Sequence, residues 1–181
     1  MGALSDVFLF LVETLLWLAL YVVLARLLLQ WSRADFRNPL CQAIVRLTNP
    51  LIMPLRRVLP PIGKTDTASV VAVILVAGVK IAAELALRGI LPYSTADVWV
   101  RGIATDIAHT LLWTYFYAIF LYALLSMIAP GGYSPLQSVL ASLCEPVLRP
   151  FRRLIPSIAG LDLSPLWACI AIQALLILLR A

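Results

Sequence analysis

The sequence predicts an all-α polytopic membrane protein assembled from a duplicated unit, and three observations carry that reading. Of the 181 residues, 62% are hydrophobic and 13% charged, against roughly 25% charged in soluble domains, and the mean hydropathy is +0.98. Apolar residues run without alternation over about 7–31, 68–91, 107–129 and 163–179. A helix needs about 20 such residues to cross the hydrocarbon layer, and continuous runs favour helices over the alternating strands of a barrel. Finally, residues 38–66 match residues 134–162 at a constant offset of 96 with no gap. Pro39, Pro50, Pro54, Arg56, Arg57, Pro60, Ile62 and Asp66 fall on Pro135, Pro146, Pro150, Arg152, Arg153, Pro156, Ile158 and Asp162. A repeat of fixed period dictates architecture. Here it predicts four transmembrane helices as two parallel two-span repeats, residues 1–96 and 97–181, each with a proline- and arginine-rich loop of short interfacial helices.

The first run, 7–31, has no basic segment before it and no small-residue cleavage site, so it reads as a retained span and not a signal peptide. Met1-Gly2 invites acylation, but Asp6 stands where Ser or Thr is required. In loops 32–67 and 130–162, Asn38-Pro39 and Ser134-Pro135 pair a capping side chain with proline at the first helical position. Short helices are expected over about 40–48 and 136–144. Pro50 and Pro146 are expected to end them, and Pro54 and Pro150 to restrict the next segment. The continuing apolar residues and the Arg pairs Arg56/Arg57 and Arg152/Arg153 suit an element lying along the membrane surface. The last run, between Pro165 and Arg180, reaches roughly 22 Å as helix. It is short for a span and must thin the bilayer, snorkel Arg180 or lean on partner helices.

Charge sets orientation. Loop 32–67 carries Arg33, Arg37, Arg46, Arg56, Arg57 and Lys64, and loop 130–162 carries Arg149, Arg152 and Arg153. In the middle loop Arg88 and Arg101 are offset by Asp97 and Asp106. The positive-inside rule then puts both arginine loops in the cytoplasm and both termini outside. Because each repeat holds two spans, the halves insert with one polarity, related by a pseudo-two-fold axis along the membrane normal. The net charge of +5 therefore faces anionic lipid headgroups and does not mark a nucleic-acid binder.

Ionisable groups inside spans are functional candidates. Glu13 corresponds at the offset to His109, and Trp17 and Tyr21 to Trp113 and Tyr117. Glu13 and His109 are expected either to meet across the pseudo-axis or to lie near the outer interface among belt aromatics. Lys80 and Glu84, one turn apart, can pair. Their counterparts Leu176 and Arg180 make the pair private to the first half, as a gate, a proton site or a self-neutralised couple. Cys41, Cys144 and Cys169 form no C-x-x-C and read as small apolar residues. One histidine and no Cys/His cluster argue against a structural metal, and haem six-coordination lacks a second histidine.

The segments Asn49-Pro50-x3-Pro54-x-Arg56-Arg57-x2-Pro60 and Glu145-Pro146-x3-Pro150-x-Arg152-Arg153-x2-Pro156 resemble the hallmark of the YggT family of small bacterial inner-membrane proteins, over essentially the whole chain. The second copy departs in having Glu145 where the first has Asn49. The resemblance carries no assigned catalytic activity, and the residues point to no cofactor. It implies roles in osmotic-stress tolerance and potassium homeostasis, or in envelope and division organisation, with plastid relatives linked to cytochrome assembly and nucleoid distribution. Two function classes result. One is a membrane organising or assembly factor whose Arg loops dock anionic lipid or a partner protein, with a membrane-protein partner or a homo-oligomer expected. The other is an ion transporter or channel component, in which four loop arginines would repel potassium from a pore mouth. An enzyme is not expected, since G-x-S-x-G, H-E-x-x-H and phosphate-loop patterns are absent.

Overall fold

The computed structural model describes residues 3–60, 66–87, 89, 91–93, 95–128, 134–154 and 162–180. Six α-helices and one short 3-10 turn make up the described secondary structure: α1 Ala3–Trp31, α2 Pro39–Val58, α3 Thr67–Leu87, the turn Leu91–Tyr93, α4 Ala96–Ile128, α5 Pro135–Leu154 and α6 Ser164–Arg180. Three helices, Val7–Trp31, Thr67–Leu87 and Ala96–Ile128, are long and apolar enough to cross a membrane, whereas Ser164–Leu179 is a shorter apolar helix. Two compact units divide the chain, one of Met1–Leu24 with Leu47–Thr110, the other of Ala25–Arg46 with Leu111–Ala181. Their boundaries cut through α1, α2 and α4, so they follow a different division from the sequence repeat.

Helix α1 persists for 29 residues because no Gly or Pro interrupts residues 3–31. It stops by local geometry. Arg33 takes φ 53°, the left-handed region usually given to glycine at this position. Ala34 N then donates to Leu29 O at 3.0 Å and Arg33 N to Gln30 O at 3.2 Å, the two bonds of a Schellman stop. The accompanying apolar contact is present too, since Leu29 and Ala34 share a buried cluster with Cys41 and Val139. The chain reverses at once into α2, where Asn38 Oδ1 accepts from Leu40 N at 2.9 Å. In the second copy, Ser134 Oγ accepts from Gln137 N at 3.1 Å at the head of α5. Both caps precede the prolines as the sequence predicts. Asn38 Nδ2 also donates to Pro135 O at 2.7 Å, joining the two helix heads.

One expectation is corrected. Pro50 and Pro146 do not end their helices: α2 runs through Pro50 and Pro54, and α5 through Pro146 and Pro150. A proline deletes one i→i−4 bond and strands the carbonyl four residues back. Here those carbonyls belong to Arg46, Pro50, Ser142 and Pro146. Three of these residues are exposed and Ser142 is half-buried, so solvent at that face can satisfy them. The spacing of four keeps both lost bonds on one side of each helix. The opposite stripe is buried at Cys41, Thr48 and Ile52 in α2 and at Leu140, Leu143, Cys144 and Leu148 in α5. Burial of that stripe holds the helix where propensity alone would break it.

The middle of the chain also differs from expectation. Helix α4 begins at Ala96, some ten residues before the expected span, and runs for 33 residues, or roughly 50 Å. Arg101, Asp97 and Asp106 are therefore helical and not loop residues. Arg101 Nε pairs with Asp97 Oδ1 at 2.7 Å, one turn apart and well exposed. Gly102 permits close helix packing, because a Cβ there would lie 3.0 Å from Ile81 Cδ1 on α3.

Candidate functional site

Two constellations collect the polar side chains of the first unit, and one collects those of the second. The first pair of sites is a latch built twice. Asp66 caps α3, its carbonyl accepting from Ser69 N at 3.0 Å and its carboxylate from Ser69 Oγ at 2.6 Å. From ten residues upstream, Arg56 donates to Asp66 Oδ2 through Nε at 3.2 Å and Nη2 at 2.5 Å. The carboxylate is buried and the guanidinium half-exposed. In the second unit, Arg152 Nε donates to Asp162 Oδ2 at 2.9 Å, and Asp162 Oδ1 accepts from Ser164 N at 2.9 Å at the head of α6. The same guanidinium donates from Nη1 to Glu145 Oε2 at 2.7 Å and from Nη2 to Tyr122 Oη at 3.4 Å. Each latch ties the end of an amphipathic helix to the start of the apolar helix that succeeds it.

Electrostatics in the second latch favour the charged forms. Burial opposes ionisation of Asp162, but hydrogen bonds from Ser164 and Arg152 outweigh it and hold the carboxyl below its ordinary range. Burial likewise pulls Arg152 down, and its bonds to Asp162 and Tyr122 leave it raised. The neighbouring arginines behave differently. Arg57 and Arg153 are exposed, and among the described residues neither has an ion-pair partner. Each Arg pair thus splits into a structural first member and a presented second member. Pro50, Pro54, Pro146 and Pro150 lie on the exposed side of their helices, and Pro60 O accepts from Thr67 Oγ1 at 2.8 Å. Pro156 lies outside the described residues.

The other site is a buried ammonium. Lys80, with 2% of its side chain exposed, donates from Nζ to Glu84 Oε1 at 2.6 Å and to Asp106 Oδ2 at 2.7 Å. Nζ also lies 4.5 Å from the centre of the Trp17 ring, a cation–π distance. Trp17 in turn meets His109 edge-on at 5.6 Å between ring centres and Tyr21 at 5.8 Å. The Lys80–Glu84 pair expected from the sequence is formed, with Asp106, which hydropathy puts in a loop, as a second acceptor. Counting α4 back from Trp113 by helical turns places Asp106 on the His109 side, a signal that shows only once the helix start is set at Ala96. His109 faces Trp17. Glu13 is half-buried, and among the described residues no ion pair joins it to His109. Arg26 is a further buried cation that hydropathy hides, 4% exposed and donating to Val45 O at 3.3 Å. Among the described residues, no three His, Cys, Asp or Glu side chains group as metal ligands.

Comparison with known proteins places this arrangement. The chain is 38% identical to the uncharacterised protein PA0392 of Pseudomonas aeruginosa, covering 96% of this chain and 88% of that one. It is 35% identical to the uncharacterised protein YggT of Escherichia coli K12, over 87% and 80%. An uncharacterised protein from the proC 3′ region of Vibrio alginolyticus is 40% identical, over 91% and 88%. No solved structure matches. The CCB3/YggT family pattern matches residues 5–87 and 102–181, which include Arg56, Asp66 and Lys80 in one segment and Arg152 and Asp162 in the other, and the chain therefore belongs to the CCB3/YggT family.

Proposed function

We propose that this chain is an integral inner-membrane organising or assembly factor linked to osmotic-stress tolerance, whose α2 and α5 present Arg57 and Arg153 to anionic lipid or to a partner protein. The supporting topology has four spans in two parallel repeats, with α6 as the short fourth span, α2 and α5 on the cytoplasmic face and both termini periplasmic. The equal 20-residue lengths of α2 and α5, starting 96 positions apart, support the repeat, as do the two matched family segments. The observation that carries the docking reading is the division of labour within each Arg pair. Arg56 and Arg152 are committed to Asp66 and Asp162, so of the two pairs Arg57 and Arg153 remain for the surface. At about 1 kcal/mol per basic residue near an anionic leaflet, they supply about 2 kcal/mol. That holds two helices against a headgroup layer without requiring deep insertion.

The buried Lys80–Glu84–Asp106 cluster supports a second reading, a transport role in potassium or osmotic homeostasis, because paired ionisable groups within spans often mark ion or proton paths. Complementation separates the two. In cells lacking the chromosomal copy, the Arg57→Ala/Arg153→Ala double variant, present at normal level, fails to restore growth after an osmotic upshift, while the charge-free variant Lys80→Met/Glu84→Gln/Asp106→Asn, also present at normal level, restores it. The reverse pattern, joined by protein-dependent potassium, proton or chloride flux in liposomes, refutes the organising role.

A further inference from the structure

A groove in the second unit extends the lipid reading from the surface into the bilayer. Two hollows of about 430 Å³ and about 260 Å³ lie side by side against α4 and α6 and share Leu166 and Cys169. The combined space is of the order of a small-molecule site. Its walls are almost wholly apolar, from Phe116 at one end to Met127 at the other, with Gln173 the polar side chain of the larger hollow. Among the described residues the wall becomes ionic at one end alone, where Asp162 lines the smaller hollow and binds Arg152 at 2.9 Å. Residues 116–127 of α4 and 164–177 of α6 rise roughly 16 and 20 Å, enough to line one leaflet's share, about 15 Å, of the hydrocarbon layer.

We propose that this groove seats one acyl chain of an anionic phospholipid of the cytoplasmic leaflet, with its phosphate at the ionic end. Charge selects the headgroup. Asp162 at that end pairs with Arg152, Glu145 pairs with both Arg152 and, at 3.6 Å, Arg149, and the next residue, Arg153, has no ion-pair partner among the described residues, so three arginines stand against two carboxylates. A phospholipid phosphate meets that surplus with the acyl chain in the apolar walls, and a second copy seated there is the alternative the test separates. The lipid seat rests on the membrane orientation proposed above and shares Arg153 with the docking reading, but its walls on α4 and α6 contain neither presented arginine, so filling the groove at Cys169 tests the seat apart from that reading.

The test is native mass spectrometry of the full chain released gently from phosphatidylglycerol nanodiscs. Wild type retains one lipid per chain, and Leu15→Trp, on an exposed face of α1, retains it equally. Cys169→Trp, which fills the shared floor of both hollows, lowers retention at least fivefold, and Arg153→Ala lowers it measurably. Equal retention in Cys169→Trp overturns the proposal, as does a mass series showing a second chain in place of lipid. A wild-type measurement guards against misfolding of the tryptophan variant. Phosphatidylglycerol carrying a photoreactive diazirine in its acyl chain should cross-link the peptide holding Leu166 and Cys169 several-fold more than the α1 peptide holding Phe8, Phe10 and Leu15, which are at least as exposed. Even labelling across both peptides reduces the groove to ordinary lipid-facing surface.

Discussion

Replacing Lys80 by Met removes the one cation that two carboxylates share. Lys80 is 2% exposed, and Glu84 and Asp106 are 22% and 17% exposed, so solvent does little to screen what remains. Breaking a buried ion pair by deleting one partner costs about 3–5 kcal/mol, because the surviving charge is left uncompensated. Here two charges survive, both negative and both within reach of the same vanished atom. The carboxylate deletions should be milder. Glu84→Gln or Asp106→Asn leaves a matched one-to-one pair, so each loses about one charged hydrogen bond, roughly 1.5–3 kcal/mol, and also removes the cluster's surplus negative charge. The triple variant Lys80→Met/Glu84→Gln/Asp106→Asn discards every charge and should recover most of the single-lysine loss.

The assay is thermal unfolding of the purified protein in one detergent, all variants side by side. At about 2–4 °C per kcal/mol for a chain of this size, Lys80→Met falls by about 6–20 °C, and the triple variant returns to within a few degrees of wild type. The lysine effect must exceed either carboxylate effect, since charge balance and not hydrogen-bond count sets the order. A Lys80→Met midpoint indistinguishable from wild type refutes the reasoning, and so does a triple variant as unstable as the single one.

Further outcomes concern the helices at the surface. Asp66→Ala should cost about 2–3 kcal/mol, losing a cap and a buried charged hydrogen bond. Asp162→Ala should cost about 1 kcal/mol or less, its pair being a third or more exposed on both sides. Because Asp162 is held below its ordinary range, its contribution is complete above that range and is lost as pH falls through the lowered value. The stability gap between wild type and Asp162→Asn should therefore close progressively below about pH 5. Pro50→Ala and Pro146→Ala should leave helical circular dichroism unchanged, because α2 and α5 already continue past these residues; a gain of a turn or more would restore the broken-helix expectation. Burial, with a smaller push from Cys169 and against the pull of Arg152, moves the Cys144 thiol up to about 12, and burial with Asp35 raises Cys41. Neither should be alkylated at pH 8 until the protein unfolds.

How far the sequence reaches depends on the kind of signal. Apolar runs and cap chemistry are local, and they locate α1, α3 and the starts of α2 and α5. Proline's local preference points the wrong way at Pro50 and Pro146, because the buried stripe through Thr48 and Ile52 is a tertiary effect that propensity does not record. The start of α4 escapes a hydropathy reading because Asp97, Arg101 and Asp106 look like loop residues on that scale, although Asp97 and Arg101 sit at i,i+4 spacing and pair on the helix. Asp66 and Asp162 are visible as repeated residues, but their job is not, since an acid ten positions after an arginine implies contact only once the intervening turn is known. Arg26 stays hidden inside an apolar run.

The latch also separates two roles that charge alone would merge. A topology anchor needs positive charge near the membrane, which lysine supplies as well as arginine. The latch needs a planar fork, because Arg56 brings both Nε and Nη2 to one carboxylate oxygen, a geometry a single ammonium cannot copy. Arg56→Lys should therefore lose one of the two bonds, at a cost of about 1 kcal/mol after allowance for the half-exposed guanidinium. Arg57→Lys, on the exposed side with no partner among the described residues, should stay within about 0.5 kcal/mol of wild type and keep its function. Arg152→Lys should be the costlier exchange in the second copy, since that guanidinium also serves Glu145 and Tyr122, and Arg153→Lys the neutral one. If all four lysine variants unfold at the wild-type midpoint, the first arginine of each pair is an anchor like the second. If Arg57→Lys and Arg153→Lys are the damaging pair, the presented arginines are read by a partner that demands the guanidinium shape, and a diffuse headgroup charge is not what they meet.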